Sequence, residues 1–488
     1  MNLIDCINFN LMLPYVDRMV SGFLDASPDD PRVARMVGFL IGVYSLCEVL
    51  FSVFWGHLSD RMGRKPALLL GLAGSAVAPV FFGLSQNLPQ AFAARILDGF
   101  FCGNIGVTKA YLGEIVDSTN EARGFSFLAV CFSLGLLIGP MLGGELVDAA
   151  VWAPGLFAGT IFEECPYLLP NLTYACFAAF SWVIGALFLE ETLPRSQRQR
   201  SRAASAESGD ASLVAVASRS WRALRGLPRS LVRIVACYCL LTGYAAAWTQ
   251  NFIEVVSLPR AINGFALGPQ EIGLLQNCAA IGLLLTQLLF YPHLTKRFGY
   301  LPVFFVGCAA NLTVTLLFPA YGLLADSQRF PVWRYVPLAC MQCFGQMGFG
   351  FMFPTAFVWI NRETHASGLS LGPVNGWCNS LGALCRGLVP PVMGSLLSVG
   401  LGSALPGGRY LAIFVNGVLL ALSLKLALRA HCRLPAVHSE ALARGCGQEA
   451  PLPALPARQT PLIDSEVEVN DRKFSTTPPT CPPGAAGA

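Results

Sequence analysis

Long apolar stretches, separated by short polar or charged segments, recur along the 488-residue chain. About 20 apolar residues suffice for a helix to cross the hydrocarbon core of a membrane. The pattern predicts an all-α membrane protein with twelve transmembrane helices, at 2–24, 36–56, 67–85, 90–112, 125–148, 168–189, 231–256, 270–291, 301–324, 333–360, 374–400 and 409–430. The first is the weakest, because Asn10, Pro14 and Asp17 interrupt it. It is either short or preceded by residues outside this sequence.

The composition agrees with a membrane protein and argues against a large soluble enzyme. The chain is 54% hydrophobic and 13% charged, with a mean hydropathy of +0.54, whereas roughly a quarter of the residues in soluble domains are charged. The net charge of +4 comes from basic loops, so it indicates topology and not a nucleic-acid partner. No nucleophile–base pair, metal cluster or phosphate-binding loop is evident, and we expect no enzyme activity and no cofactor.

Arginine and lysine are concentrated in the loops after the second, sixth and eighth predicted helices. Cytoplasmic loops of membrane proteins carry an excess of these residues, so both termini are expected in the cytoplasm. We predict a six-helix half at 1–189, a Ser/Arg-rich cytoplasmic linker at 190–230, a second six-helix half at 231–431 and a disordered tail at 432–488.

Two sequence repeats support this division. "GHLSDRMGRKP" (56–66) and "PHLTKRFGYLP" (292–302) share one layout, and each follows the second helix of its half. "GPMLGG" (139–144) and "PPVMGS" (390–395) likewise fall in equivalent helices, the fifth of each half. Two parallel copies of a six-helix unit are the architecture of major facilitator transporters.

The first repeated turn is a candidate gate. Gly56 and Gly63 would allow a close approach and a tight reversal. Its basic residues would hold the loop in the cytoplasm, and Asp60 would lie against the N-terminus of a neighbouring helix. The alternative is a loop that only sets topology. The gating candidates are Gly56, Asp60, Arg61, Gly63, Arg64 and Lys65.

Several motifs resemble those of the major facilitator superfamily. "GHLSDRMGRKP" resembles its hallmark loop, and "ARILDGFFCGNIGVTKAYLGEI" (94–115) its fourth-helix motif, with Arg95 as the matching arginine. "GLLIGPMLGG" (135–144) resembles the fifth-helix motif of drug/proton antiporters, with Gly135, Gly139, Pro140, Gly143 and Gly144. The plain alternative for these five residues is helix packing.

"PYVDRMV" (14–20), "GNIGVTK" (103–109) and "GPVNGWCNSLGALCRGLVPP" (372–391) resemble the zinc-induced facilitator-like branch of plants and fungi. Plant members of that branch carry a histidine motif after the sixth helix, where this chain reads "EETLPRSQRQ" (190–199). The chain has 5 histidines and they form no cluster, so we expect no metal site.

Ionisable residues at membrane depth are functional candidates, because placing a charge there is costly. Arg95 and Asp98 are three residues apart and share a helix face, which makes them either a proton-coupling switch or a permanent structural pair. Glu48 is either a proton carrier or a protonated carboxyl that only makes a hydrogen bond. Glu254 is either a gate or a solvated helix end.

Polar and aromatic residues of the first, fourth, seventh and eleventh helices are candidates for a substrate cavity. Each has the alternative of an interhelical hydrogen bond or an interfacial position, and Lys109 that of reaching to the membrane surface. They are Asn8, Tyr15, Asn104, Lys109, Trp248, Gln250, Asn375, Trp377, Asn379 and Arg386.

These observations and the resemblance imply a secondary transporter that exchanges a small molecule or ion for protons by alternating access. Glu48, Arg95 and Asp98 are its proton-coupling candidates. The alternatives are a proton symporter for a sugar or another nutrient, and a non-transporting membrane sensor. We expect a monomer that contacts lipid in a plasma membrane or a vacuolar/lysosomal-type membrane.

Overall fold

The computed structural model describes residues 1–115, 121–193, 227–260, 264–324, 335–367, 371–402 and 408–431, together with residue 199. These residues form helices and no strand, as the sequence predicts. Those within Met1–Ala436 belong to one compact unit. The tail and most of the linker lie outside the described residues, and the division into two halves stays a prediction.

We call the helices before the linker the first helix set. They are α1 (Asn2–Leu11), α2 (Val16–Phe23), α3 (Pro31–Met62), α4 (Arg64–Gly83), α5 (Leu88–Cys102), α6 (Ile105–Ile115), α7 (Glu121–Glu145), the short α8 (Ala149–Trp152), α9 (Pro154–Phe157) and α10 (Ile161–Glu164), and α11 (Leu168–Phe188).

The helices after the linker are the second helix set. They are α12 (Arg229–Ser257), α13 (Pro269–Leu285), which continues through a π-helical turn (Thr286–Phe290) into α14 (Tyr291–Phe298), α15 (Tyr300–Leu324), α16 (Tyr335–Ala366), α17 (Leu371–Gly402) and, after a 3₁₀ turn (Gly408–Tyr410), α18 (Leu411–His431).

Two predicted transmembrane helices are interrupted. Residues 2–24 form α1 and α2 with a break that contains Pro14, a residue that disfavours helix at the position before it. Residues 90–112 form α5 and α6 with a break at Gly103 and Asn104. A Cβ atom on Gly103 would lie 2.9 Å from Trp55 Cδ1, so this backbone passes too close to α3 for a side chain.

Among the described residues, 9 helical stretches are long and apolar enough to cross a membrane, and Val130–Glu145 of α7 is a shorter apolar helix. Large apolar side chains lie on the outer surface of the bundle, including Phe188 at 77% and Leu50 at 68% exposure. Contiguous exposed apolar surface of this kind is unfavourable in water, so it is the surface that would face lipid.

The two repeated turns share one backbone feature, a glycine with positive φ. Gly63 joins α3 to α4 with φ 109°, and Gly299 joins α14 to α15 with φ 81°. Both values lie in the region that L side chains rarely adopt. These two turns define what we call the turn end of the bundle, and the opposite end, where α2 leads into α3 and α12 into α13, is the far end.

The two helix sets meet mainly along two helix pairs, α3 with α17 and α7 with α13, with smaller contacts of α2 with α12 and of α6 with α17. The closest approaches lie toward the far end. A Cβ atom on Gly42 would lie 2.4 Å from Gly387 O, and one on Gly144 would lie 2.8 Å from Pro269 O. Arg35 also donates to Ser398 Oγ at 3.0 Å. The helix sets are therefore in close contact at the far end.

Candidate functional site

Arg95 and Asp98 form a close, buried ion pair whose two members both lie in the first helix set. Both side chains are 2% exposed, and Arg95 Nη1 lies 2.7 Å from Asp98 Oδ2. The other carboxylate oxygen accepts a 2.7 Å hydrogen bond from Asn8 Nδ2. Asn8 lies on α1, so this network joins α1 to α5. The i, i+3 spacing had indicated the ion pair, but nothing in the sequence indicated Asn8 as its partner.

The surroundings of Arg95 also restrain it. Its guanidinium carbon lies 4.3 Å from the centre of the Tyr44 ring and 5.7 Å from that of Phe82. Arg95 Nε and Nη2 are buried and have no hydrogen-bond partner among the described residues. The ring contacts are cation–π interactions, which are stronger where water is excluded.

Glu48 and Arg386 form a second, looser ion pair. Glu48 lies on α3 and Arg386 on α17, so this pair connects the two helix sets. Arg386 Nη2 lies 3.4 Å from both Glu48 carboxylate oxygens. The Arg386 side chain is 26% exposed and the Glu48 side chain is 6% exposed. The sequence had identified both residues separately, but it could not show that they meet, because 338 positions separate them.

Lys109 lies near this pair and makes a contact of its own between the helix sets. Its Nζ donates to Asn379 Oδ1 at 2.6 Å, and among the described residues it has no carboxylate within ion-pair distance. An ammonium whose acceptor is a neutral amide is less well compensated than one paired with a carboxylate. The Lys109 ammonium is therefore hydrogen-bonded across the contact between α6 and α17.

Most of the other cavity candidates make interhelical or local hydrogen bonds. Tyr15 Oη accepts from Asn171 Nδ2 at 2.9 Å, Asn104 Nδ2 donates to Ala67 O at 3.0 Å, and Trp248 Nε1 donates to Gln342 Oε1 at 2.9 Å. These three side chains are at most 1% exposed. Half-buried Asn375 makes a long bond of 3.4 Å to Asn361. Trp377 is also half-buried. The cavity role of all these residues stays a prediction.

The glycines of 135–144 separate into two groups by what they contact. A Cβ atom on Gly139 would lie 2.8 Å from Ile7 O, and one on Gly143 would lie still closer to Leu11 O, both on α1. A Cβ atom on Gly135 would lie 2.4 Å from Cys6 Cβ, also on α1. Gly144 instead faces α13, where Pro140 O lies close to Gly273. The motif thus packs α7 against α1 on one side and against the second helix set on the other.

The charged turn is folded onto the first helix set. Arg64 Nη1 lies 2.7 Å from Asp60 Oδ1, and Arg64 Nε lies 2.9 Å from Glu114 Oε1 on α6. Lys65 Nζ donates to Ala186 O at 2.9 Å. The close approach expected at Gly56 is absent among the described residues, because a Cβ atom there would meet nothing within 4 Å.

Glu191 caps α4, the role predicted from the sequence for Asp60. The Glu191 carboxylate accepts from the backbone N–H of Arg64 at 2.9 Å and of Lys65 at 3.3 Å. A carboxylate at this position satisfies free N–H groups and interacts favourably with the helix dipole. Glu191 follows α11, so only the tertiary structure brings it to α4.

Three further carboxyl groups are buried without having been predicted to be so. Asp5 on α1 is 3% exposed, Asp17 on α2 is 6% exposed and Glu254 on α12 is 3% exposed. The alternative of a solvated helix end for Glu254 is therefore wrong. The signal that was available is an acidic residue inside an apolar stretch, which applies to Asp5 and Asp17 as much as to Glu48. Among the described residues no group of three metal-binding side chains occurs.

The fold and these intramembrane charges agree with what comparison with known proteins shows. The family model of the Major Facilitator Superfamily matches residues 3–385. The chain therefore belongs to the Major Facilitator Superfamily.

Relatives support the narrower resemblance as well. ZINC INDUCED FACILITATOR-LIKE 1 of Arabidopsis thaliana is 27% identical over 428 residues, which cover 86% of this chain and 87% of the relative. ZINC INDUCED FACILITATOR 1 of the same plant is 30% identical, with 62% of this chain and 64% of the relative covered. The multidrug transporter mfsB of Aspergillus fumigatus is 40% identical over 196 residues, with 40% of this chain and 32% of the relative covered.

Solved structures show the same fold. The human organic anion transporter MFSD10 (TETRAN) aligns with a TM-score of 0.55 at 20% identity, covering 87% of this chain and 96% of that chain. A bacterial homologue of the human lysosomal transporter Spinster, inward-facing and occupied, aligns with a TM-score of 0.59 at 14% identity, covering 89% and 95%. The major facilitator fold is thereby confirmed.

Proposed function

We propose that the protein is a secondary active transporter, not an enzyme, and that it exchanges a small molecule or ion for protons by alternating access. The observation that carries this proposal is the Glu48–Arg386 pair, which connects α3 to α17 between the two helix sets. An alternating-access transporter must make and break contacts between its two halves. A carboxylate in such a contact can couple the movement to a proton, because protonation removes its attraction to the guanidinium.

The names of relatives and the distribution of charge support a direction of exchange. Several relatives are named as efflux proteins or drug transporters, including the efflux pump azaK of Aspergillus niger at 26% identity over 431 residues. We propose that the turn end, which carries Arg61, Arg64 and Lys65, faces the cytoplasm. Export of the solute would then be driven by protons that enter from the far end, across a plasma or vacuolar/lysosomal-type membrane.

The contacts of the remaining residues support their proposed roles. Arg95 and Asp98 would keep α1 and α5 in register. Because both members of this pair lie in one helix set, they would transmit the effect of protonation to neighbouring helices more than bind the proton themselves. Lys109, Asn375, Trp377, Asn379 and Arg386 lie on α6 and α17, where the sets meet, and are the proposed solute contacts. The charged turn stays the proposed gate of the turn end, where the Asp60–Arg64 pair joins α3 to α4.

Proton flux in proteoliposomes tests the proposal. A pH gradient is imposed, a pH-sensitive dye is enclosed, and metal cations, metal chelates, organic drugs, organic acids and sugars are added in turn. We expect one class to dissipate the gradient, and Glu48→Gln to abolish this response while the variant stays folded. Glu163→Gln is the matched control, because Glu163 lies in an exposed segment at the far end and accepts from Gly159 N at 2.7 Å.

Two outcomes would contradict the proposal. A response of full size in Glu48→Gln would show that this carboxylate does not couple proton movement. If no compound in the panel is transported by the folded protein, with or without a pH gradient, the sensor alternative replaces transport.

A further inference from the structure

A second pair of acidic residues connects the helix sets at the far end. Asp17 lies in the second helical segment of the first helix set, and Glu254 lies in the last turns of α12. Both side chains are buried, at 6% and 3% exposure. Ser257 on α12 links them, since its Oγ lies 2.6 Å from Asp17 Oδ2 and 2.9 Å from the backbone oxygen of Glu254.

Ser257 has one hydroxyl hydrogen for two neighbouring acceptors. With Asp17 ionised, Ser257 Oγ donates either to Asp17 Oδ2 or to the Glu254 carbonyl oxygen. With Asp17 protonated, the Asp17 hydroxyl can donate to Ser257 Oγ while Ser257 donates to the carbonyl oxygen, so both contacts are hydrogen bonds. The 2.6 Å separation is compatible with an O–H···O bond in either direction.

The second observation is the set of unsatisfied oxygens around this link. Glu254 Oε1 accepts from Gln250 Nε2 at 2.7 Å, whereas Asp17 Oδ1, Glu254 Oε2 and Gln250 Oε1 are buried and have no hydrogen-bond partner among the described residues. Gln250 is 1% exposed, and its Nε2 lies against α3 and α17, close to Gly38 and Gly394. Buried polar groups without partners are costly, and two ionised carboxyls here would add uncompensated charge.

Among the side chains that the structure describes, no cation forms an ion pair with Asp17 or Glu254. Arg18, next to Asp17, pairs with Asp148, Arg32 pairs with Asp30, and Arg35 donates to Ser398. The other described charged side chains on the helices packed around α2 and α12 lie at mid-depth or at the turn end, whereas Arg260, which follows α12, is exposed. They are Glu48, Asp60, Arg61, Arg229, Arg233, Arg362, Glu363, Arg386, Lys425 and Arg429.

We propose that Asp17 and Glu254 form a proton-binding latch, in which protonation of these buried carboxyls holds the two helix sets together at the far end and deprotonation opens that end. With both carboxyls ionised, closure would bury two negative charges that no cation pairs with, and opening hydrates them. The ligand is thus a proton from the far compartment. The inference rests on the proposed function for its use in transport, because protonation from that side would close the gate behind the proton.

A distance measurement across the far end tests the latch without any substrate. Noncanonical amino acids carrying small spin labels replace Ser27 and Gln270, two exposed residues on opposite helix sets, and the full chain is placed in nanodiscs. If one proton is released on opening, the ratio of open to closed molecules rises about tenfold per pH unit. This dependence holds between the pKa of the latch in the open form and its pKa in the closed form. We expect Asp17→Asn and Glu254→Gln each to abolish most of this dependence and to stay closed.

The matched control is Asp148→Asn, which neutralises a carboxylate at the same end that pairs with exposed Arg18. It should leave the pH dependence unchanged. Asp30 does not interfere, because its hydrogen bonds with Arg32 hold the pKa of Asp30 below its usual range. Asp30 therefore loses its charge, and with it these contacts, only in stronger acid than an ordinary aspartate does.

Three results would overturn the latch. They are a far-end distance that does not change with pH, a dependence that survives in both Asp17→Asn and Glu254→Gln, and a distance that follows sodium or potassium at constant pH. The last would identify an alkali cation as the ligand. A latch that fails while Glu48-dependent flux persists leaves the proposed function intact, and a latch that works without any flux supports a gate in a sensor.

Discussion

Arg95 and Arg386 are both arginines at membrane depth, but their surroundings differ. Arg95 lies 2.7 Å from its carboxylate, stacks on Tyr44 and is 2% exposed. Arg386 lies 3.4 Å from Glu48 and is 26% exposed, and near it Lys109 bonds only to an amide. The first region lies within one helix set and the second lies between the two. A close ion pair with both members in one helix set stabilises that set in every state. A longer ion pair between the sets can separate at a low cost in free energy.

The largest effect on the free energy of unfolding is expected from removing one member of the Arg95–Asp98 ion pair. Arg95→Met leaves Asp98 buried with Asn8 as its remaining partner, and the loss of one member of a buried ion pair costs about 3–5 kcal/mol. The free energy of unfolding in detergent should fall by this amount. The double variant Arg95→Met/Asp98→Leu should recover most of the loss, and a single variant as stable as the native chain would show that the pair contributes little.

Glycine substitutions test the same distinction in the packing. Gly143→Ala would bring a Cβ atom into the backbone of α1 at Leu11 O, and overpacking of this kind costs about 1–3 kcal/mol of stability. Gly113→Ala is the control, because a Cβ atom there meets nothing within 4 Å.

Gly42→Ala instead affects the contact between the sets, where a Cβ atom would lie 2.4 Å from Gly387 O. We expect this variant to increase the population that is open at the far end, measured as the Ser27–Gln270 distance. Its stability should fall less than that of Gly143→Ala. Equal losses of stability without any change in distance would contradict the distinction between contacts within a set and contacts between sets.

A smaller effect is expected at the turn end. Glu191→Gln removes the negative charge that accepts from the first N–H groups of α4, an interaction worth about 0.3–1 kcal/mol. Thermal unfolding should show a slight loss, and Glu190→Gln, which changes an adjacent exposed carboxylate, should show none.

The smallest effect on stability is expected at Lys109. Lys109→Met removes an ammonium that lacks a carboxylate partner, and replacing a poorly compensated buried charge with an apolar group is often neutral or stabilising. The free energy of unfolding should change by less than about 1 kcal/mol, while flux in proteoliposomes is reduced. A loss as large as that in Arg95→Met would remove the contrast between the two regions.

Local sequence was sufficient for the helices, for the repeated glycine turns and for the Arg95–Asp98 pair. Each depends on residues that are close along the chain: apolar runs near the membrane thickness, a glycine at positive φ, and an i, i+3 spacing. The breaks at residues 12–15 and 103–104 were less predictable. Pro14 signals one of them, but the close approach of Gly103 to Trp55 depends on packing between helices.

By itself, the sequence determined the class of protein, because hydropathy and charge act through the local chain and the membrane. Only the tertiary structure decided which charges meet. It brought Arg386 to Glu48, Lys109 to Asn379, Glu191 to the start of α4, and Ser257 to Asp17. Such pairings join residues more than 100 positions apart, and they depend on which helices become neighbours and on how each is rotated. An apolar pattern alone leaves both of these open, because every face of a membrane helix is largely apolar.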